Sequence, residues 1–517
     1  MNLGAYLTRS ARYRPDEPAL VCGEQSWTFR QLEQDANRLA SALVARGLRP
    51  GDAVASVAWN RGELLVVEFA LYKAGLLRAP VNARLGRSEI THILGYAPVR
   101  VLVFDAAHRE DALAAITASG ADCAAVQFDG ADSEVLSYAD LLAEGTVEPV
   151  SVEMRAEDPA VLNFSSGSTG ALKAATQTFG NRLANMRKQL MGEPRPRPDT
   201  RYLACGPITH ASGMALLACV FAGTTIHVLP TWNVDAFLAT VERERINSTF
   251  LVPAMLSMVL AHPELAEHDL SSLTDLRVGG APISPQRLRQ AVEAFGPVVG
   301  QGYGTAETTS VVAGLTSAEI ARAVAADPEL LASCGRAVYD SEIRVVDEQG
   351  RELPPREVGE MIVRGPDCVT EYWNDPELSA QTFRNGWVHT GDLAWMREDG
   401  YLFIVDRIKD MIISGGFNIY STEVEAALYE HPAVFEACVV GVPDEQWGEA
   451  VKAVVALHPG DAPTETELIE FCAERLDRLK KPRSVDFVPV LPHNRNGKVD
   501  RKAVRETYWA GADRRVN

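Results

Sequence analysis

A chain of 517 residues exceeds what one hydrophobic core can organise, so two or three domains are expected. Hydrophobic residues make up 46% and charged residues 23%, the ordinary balance of a soluble globular protein. The 50 Lys plus Arg against 69 Asp plus Glu leave a formal charge of −19, which argues against general nucleic-acid binding and obliges any polyanion site to create its own local positive potential. The eight cysteines are scattered, with no Cys-x-x-Cys pair and no His/Cys ligand spacing, and read as reduced thiols. The opening Met1 to Arg12 has no apolar core of signal-peptide length, and no apolar run reaches a membrane span, so a cytoplasmic location is expected.

The first part of the chain alternates strands and helices. Trp27 to Leu32 opens a strand-to-helix passage, and Leu32, Ala36, Leu39 and Leu43 share one apolar helical face. Ala53 to Ala58 reads as a buried strand, and Glu63 to Ala74 as a helix closed by Gly75. Ala160 to Phe164 reads as a short buried strand. After it, Phe164-Ser-Ser-Gly-Ser-Thr-Gly-Ala-Leu-Lys173 packs two glycines, four hydroxyls and one lysine into a turn-rich segment at a strand end, where α/β folds bind ligands. A polyphosphate suits that combination: glycines let backbone N–H groups approach closely, hydroxyls donate hydrogen bonds, and lysine supplies charge. The segment is not a Walker A loop, because Ala171, Leu172 and Lys173 follow Gly170 where Gly-Lys-Ser/Thr is needed. The plainer alternative is a flexible Ser/Gly surface loop.

Gly192 to Asp199 is a proline-broken loop ahead of the strand Tyr202 to Cys205. The alternation continues through Ser248 to Pro253, Leu276 to Gly280 and Val298 to Gln301, favouring mostly parallel, helix-covered sheets. Near residue 340 the pattern changes: Ser341 to Leu353 looks like a hairpin, followed by the strand Glu360 to Arg364. A last unit begins near Asp406, with a helix Ser421 to Tyr429, strands Val434 to Val440 and Glu449 to Leu457, and a helix Glu465 to Leu479. The predicted fold is therefore α/β. A large N-terminal domain spans 1–405, with a β-rich subdomain at about 335–405, and a small α+β C-terminal domain spans 411–517 after a connection at 406–410.

Six further segments have unusual composition. Pro207-Ile-Thr-His-Ala-Ser-Gly213 sets a histidine among small residues, and Gly279-Gly-Ala-Pro-Ile283 is a tight turn after a strand. Gly300-Gln-Gly-Tyr-Gly-Thr-Ala-Glu-Thr308 combines glycines, one aromatic and one carboxylate. Trp387-Val-His-Thr-Gly-Asp392, Asp406-Arg-Ile-Lys-Asp410 and Leu491-Pro-His-Asn-Arg-Asn-Gly-Lys498 follow, the last presenting a lysine after a glycine turn. In this order, from about Trp27 to about Arg501, they resemble the adenylate-forming superfamily of acyl-CoA synthetases, peptide-synthetase adenylation domains and luciferases.

The resemblance implies a reaction: ATP activates a carboxylate as an acyl-adenylate with release of pyrophosphate, and the acyl group then passes to a thiol. In-line attack of one anion on another needs charge neutralisation and positioning more than covalent help. By resemblance, Ser165, Ser166, Gly167, Ser168, Thr169, Gly170 and Lys173 hold the β- and γ-phosphates. Glu307 coordinates Mg²⁺. Tyr303, within Gly302 to Thr305, stacks on adenine, and Gly280, Ala281 and Pro282 line its other side. Asp392 accepts from the ribose hydroxyls, Arg407 faces the ribose, and Lys498 bridges the substrate carboxylate and the α-phosphate. His210, Ala211, Met214, Phe250 and Gly279 line the acyl pocket, together with Gly302. Small residues with one aromatic and one thioether suit an aryl or medium-length carboxylate better than acetate. Lys409 is the hinge about which the C-terminal domain moves, bringing Gly415 and Gly416 to a CoA channel. The bland readings are a surface position for Lys498, an ordinary ion pair for Asp392 and Arg407, and a core position for Tyr303.

The chain departs from the family pattern at Leu172 (proline expected), Ala174 (glycine), Phe179 (histidine), Ala306 (threonine) and Ser421 (proline). Thr305 and Thr308 lie close enough to supply the hydroxyl that Ala306 lacks. None of these changes removes a charge the mechanism needs. CoA is the expected acceptor. A carrier-protein thiol or an amine, including nitrite activation for diazotisation of an aryl amine, is the alternative, and a catalytically dead nucleotide-binding protein is a third reading. Monomer and homodimer are both compatible with the sequence.

Overall fold

The computed structural model describes residues 1–130, 132, 135–166, 172–493 and 499–509, and of Ser166 the backbone alone. These residues form four sheets. The first has seven strands in the order Leu136–Ser137, Ala124–Gln127, Val99–Phe104, Ala53–Val57, Leu77–Val81, Pro159–Ser166 and Leu172–Thr178, parallel throughout except for the last pair, an antiparallel hairpin. The second has nine strands. Its central strands Val299–Gly304, Asp275–Gly279, Ser248–Leu251, Arg201–Ala204, Thr225–Val228 and Pro18–Cys22 are parallel, with antiparallel strands at both ends. The fold is α/β, as the alternating pattern indicates.

Local sequence explains the main elements. Ala53–Val57 and Leu77–Val81 are buried at every residue, as strands covered on both faces must be. The helix Glu63–Ala74 between them is buried from Leu64 to Ala74, so it is a core helix with no solvent face, and it ends where Gly75 takes a left-handed φ of 67°. The largest hydrophobic core holds this helix together with Val54 and Val101 of the first sheet and Leu20, Tyr202 and Ile226 of the second, so it joins the two sheets. Helix Phe179–Met191 starts directly after Leu172–Thr178 on a reciprocal cap between Thr178 and Asn181.

The third sheet is antiparallel: Glu342–Val346, Gly359–Arg364 and Trp387–Met396, with Phe383–Arg384 and Leu402–Arg407 on the last. The fourth contains Phe417–Ile419, Ile412–Ser414, Gly448–Leu457, Val434–Asp444 and Ser484–Phe487. Two expectations are corrected here. Residues 341–353 fold back only as a tight turn, with Leu353 N–H donating to Val345 O, Asp347 N–H to Arg351 O and Val346 meeting Glu352 in a single bridge; no return strand forms, and Glu342–Val346 takes Gly359–Arg364 as its strand partner. The Asp347 carboxylate accepts from the amides of Gln349 and Arg351 and turns the chain, and Pro354 and Pro355 then lack the N–H donors a return strand needs. The helix expected to reach Leu479 stops at Ala473. Leu476 still packs on the core, but Leu479 is exposed and gives a longer helix nothing further to bury.

One irregular segment ties the first and third sheets together. The Thr176 amide donates to Glu371, the Trp373 amide donates to Ala174, and Ala175 bridges Tyr372. Among the described residues no helix is long and apolar enough to cross a membrane.

Candidate active site

The hairpin register sets Ser165 opposite Lys173 and Phe164 opposite Ala174. Gly167, Ser168, Thr169 and Gly170 lie outside the described residues, as does Lys498. Lys173 projects from the second hairpin strand to a carboxylate: its Nζ lies 2.9 Å from Glu307 Oε1 and 2.5 Å from the Tyr372 hydroxyl, and 4.2 Å from the centroid of the Tyr372 ring. The Tyr372 hydroxyl donates to the same Glu307 Oε1 at 2.5 Å. Burial pulls the Glu307 carboxyl upward, but the Lys173 charge and the hydrogen bonds from Tyr372 and Lys173 outweigh it and hold it below its ordinary range. Burial, then the Glu307 charge, pushes the Tyr372 phenol upward.

The loop that carries Glu307 is held from several sides. The Val369 amide donates to the Glu307 carbonyl at 2.8 Å. The Thr305 amide donates to the Thr308 hydroxyl, which is fully buried and itself donates to Ser310 O. Thr308 therefore cannot replace the hydroxyl absent at Ala306, and that expectation is withdrawn. Among the described residues Thr305 Oγ1 has no partner although it is buried, and the same holds for Ser165 Oγ. Ala306 packs with Ala175, Val369 and Tyr372. Thr309, with φ 58°, sits in the left-handed region, unfavourable for a β-branched residue, and its hydroxyl donates to Asp367 O at 2.6 Å.

A magnesium ion fits this corner chemically. Glu307 offers a hard carboxylate oxygen, and Thr305 Oγ1 and Ser165 Oγ are further oxygens that have no hydrogen-bond partner among the described residues. Among the described residues no three His, Cys, Asp or Glu side chains assemble a metal cage. Magnesium held by one carboxylate together with phosphate oxygens needs none.

A second carboxylate centre lies on the third sheet. Asp392 and Arg407 are cross-strand partners, and Arg407 Nε reaches Asp392 Oδ1 at 2.9 Å. The hydroxyl of Tyr303, from the strand Val299–Gly304, donates to Asp392 Oδ2. Asp392 is buried, and its charge, against opposing burial, raises the Arg407 guanidinium further. Burial and the same charge raise the Tyr303 phenol. Both oxygens of Asp392 thus have one protein donor, and a carboxylate with about four lone-pair sites retains capacity for ribose hydroxyls.

Beside Tyr303, the strand Asp275–Gly279 is followed by Gly280, whose φ of 82° suits glycine. Gly304 is constrained differently: a Cβ there would stand 2.0 Å from Ser310 O. Ala281 is half-buried and Pro282 exposed beyond the turn.

A cavity of about 1020 Å³ opens between these segments. His210, Ala211, Met214 and Phe250 line it, and so do Ser165, Gly280, Gly302, Gly304 and Thr305, so the residues expected at the acyl group and those expected at the nucleotide border one continuous space. Tyr303, Ala281, Pro282, Glu307, Asp392 and Arg407 are not among the lining residues. Gly279, expected in the wall, is not there either; a Cβ on it would fall 2.5 Å from Gly302 O, beneath the neighbouring strand. The Thr209 hydroxyl lies 2.9 Å from His210 Nδ1. Cys205, Trp232, Met255 and Met258 add to the apolar wall.

Two residues in these arrangements carried no sequence signal we recognised. Tyr372 lies between motifs; the aromatic pair Tyr372-Trp373 ahead of Asn-Asp-Pro is its local mark, since a buried tyrosine hydroxyl must find a partner. Arg182 is fully buried, bonds Tyr72 and Glu68, and sets Nη1 3.2 Å from Met214 Sδ behind the cavity wall.

The C-terminal part reaches the same cavity, because His493 is one of its lining residues. Lys409 lies within electrostatic reach of Lys173; burial and the cations Arg407, Arg505 and Lys173 depress its ammonium against the opposing pull of Asp410. Gly415 and Gly416 form the turn between Ile412–Ser414 and Phe417–Ile419, both with positive φ, and the Gly415 amide donates to Trp447 O.

The chain matches the model of the AMP-binding enzyme family over residues 7–373, and that of the AMP-binding enzyme C-terminal domain over residues 423–498. It is 36% identical to a feruloyl-CoA synthase of an Amycolatopsis species over 508 residues, 98% of this chain and 99% of that one. Its structure is similar to the amide bond synthetase McbA from Marinactinospora thermotolerans, with TM-score 0.89, 31% identity, and 98% and 100% of the two chains covered. It is also similar to the anthranilate CoA ligase AuaEII in complex with anthranoyl-AMP, with TM-score 0.90, 26% identity, and 98% and 97% covered.

Proposed function

The chain belongs to the AMP-binding enzyme family, and we propose that it uses ATP to activate an aryl or medium-length carboxylate as an acyl-adenylate, then passes the acyl group to the thiol of CoA. The observation that carries this reading is that two carboxylate centres, Glu307 with Lys173 and Asp392 with Arg407 and Tyr303, are built on the segment Gly302 to Glu307, whose Gly302, Gly304 and Thr305 line the cavity that His210, Ala211, Met214 and Phe250 also line.

In the first step a carboxylate oxygen attacks the α-phosphorus, the bond to the bridging oxygen breaks, and pyrophosphate leaves. Lys173 exchanges Glu307 for a phosphate oxygen and holds the leaving group. Magnesium, when bound through Glu307, neutralises phosphate charge. Asp392 and Arg407 fix the ribose, Gly280 to Pro282 and Tyr303 frame the base, and Lys498 supplies charge to the substrate carboxylate and the α-phosphate. The role of binding the β- and γ-phosphates falls to Ser165, Ser166 and Gly167 to Gly170 together with Lys173. His210, Ala211, Met214 and Phe250 hold the acyl group, with His210 a wall or gating residue. In the second step the thiol attacks the acyl carbonyl and AMP leaves. Residues 406–410 serve as the hinge, Lys409 being the pivot, and the domain from residue 411 is the lid that exchanges Lys498 for Gly415 and Gly416.

The similarity to an amide bond synthetase over nearly the whole chain supports a second acceptor, an amine in place of CoA; a carrier-protein thiol is a third. Pyrophosphate release measured across a panel of acids separates these readings. Release with an aryl or medium-chain acid, followed by CoA-dependent thioester formation, is expected. Amide formation in place of thioester supports the second acceptor, and ATP binding without pyrophosphate release for any acid refutes the adenylation reading.

A further inference from the structure

Tyr372 stands where the proposed reaction asks most of Glu307. The residue is 2% exposed, and its ring packs against Phe383 with ring centroids 5.1 Å apart. Its amide donates to Ser379 Oγ at 2.8 Å. The neighbouring residues are pinned to the strand that carries Lys173, through Thr176 N–H to Glu371 O and Trp373 N–H to Ala174 O. The hydroxyl is therefore delivered to a set position by backbone bonds on both sides, and that position lies between the two charges of the phosphate corner.

The present arrangement gives Glu307 Oε1 two donors, Lys173 and Tyr372. Binding of a polyphosphate draws Lys173 away, because an ammonium between a carboxylate and a chain of phosphates meets more negative charge on the phosphate side. A buried carboxylate that loses its cation and keeps no donor carries a large desolvation penalty and a free torsion. We propose that Tyr372 is a positioning residue: its hydroxyl retains Glu307 after Lys173 has moved, and so keeps the carboxylate aimed at the magnesium ion that accompanies ATP. This rests on the reading of Glu307 as the magnesium ligand.

The test measures ATP binding by calorimetry over a series of Mg²⁺ concentrations and again in EDTA. Tyr372→Phe keeps the ring and deletes the hydroxyl. It should raise the half-saturating Mg²⁺ about tenfold, the effect of one hydrogen bond to a charged group, while changing ATP binding in EDTA less than about twofold. Phe383→Leu loosens the packing around the ring and keeps the hydroxyl, and should leave the Mg²⁺ dependence within about twofold of wild type. An equal loss with and without Mg²⁺ in Tyr372→Phe, an unchanged Mg²⁺ dependence, or the same shift in Phe383→Leu overturns the proposal. Wild-type ATP binding that is indifferent to Mg²⁺ overturns the reading of Glu307, and the proposal with it.

Discussion

Two carboxylates in this molecule are each met by one tyrosine hydroxyl and one cation, yet the two centres are built differently. Glu307 takes Lys173 and Tyr372 on a single oxygen, and its three members come from the hairpin strand, the loop after Gly304 and the irregular segment near residue 372. Asp392 divides its oxygens, Oδ2 to Tyr303 and Oδ1 to Arg407, and Asp392 and Arg407 are register partners on one antiparallel pair. The exposures differ as well: the Lys173 side chain is 22% accessible and that of Arg407 52%. Crowding on one oxygen makes the Glu307 centre ready for an exchange of partners. The divided Asp392 centre is already close to a hydroxyl-accepting geometry, and its cation stands at the entry to the proposed hinge.

This contrast can be sharpened by substitution. The largest effect is expected outside both centres: Lys498→Ala should slow pyrophosphate release at least about 10²–10³-fold, the cost of losing one preorganised charge at a transition state, with ATP affinity and melting temperature near wild type. Adenylation at near wild-type rate would refute its role. Glu307→Gln should come next, lowering kcat/KM for MgATP by about 10²-fold; the same loss in Asp392→Asn would erase the distinction between the centres. For Asp392→Asn the expectation is about a tenfold rise in KM for ATP with kcat little changed, as for a hydrogen-bonding group that acts alike in ground and transition states.

Lys409→Pro tests the hinge next to the second centre. In single-turnover assays it should leave acyl-adenylate formation intact and slow thioester formation about tenfold, a barrier rise of about 1.4 kcal/mol. Equal loss of both steps would sink the hinge assignment. The smallest effect is expected from Tyr303→Phe, a change of a few-fold in KM for ATP, because Arg407 still holds Asp392 when one neutral donor is lost.

Much of this was readable in advance where the cause is local. The helix Ser421–Tyr429 begins and ends as its apolar spacing indicates, and Glu63–Ala74 stops at Gly75 because only a left-handed residue closes it there. Failures came where a distant partner decided. Glu342–Val346 folds back on the next residues only through a tight turn, and its strand partner lies beyond two prolines. Leu479 continued a helical pattern that found no core to cover. Thr308 looked like a spare hydroxyl beside the nucleotide, and the loop's own backbone claims it.

The sequence by itself determined the reaction class through its ordered motifs, whose resemblance to the adenylate-forming superfamily implies activation of a carboxylate by ATP. It also determined the alternation of strands and helices, which hydrophobic period records directly. Only the tertiary structure decided which groups share an oxygen. Tyr372 lies 65 residues from Glu307 and 199 from Lys173, and nothing in the local pattern of any of the three announces that they meet. Hydrogen-bond partnership at such separation is set by how the sheets dock, a property of packed surfaces that no run of neighbouring residues encodes.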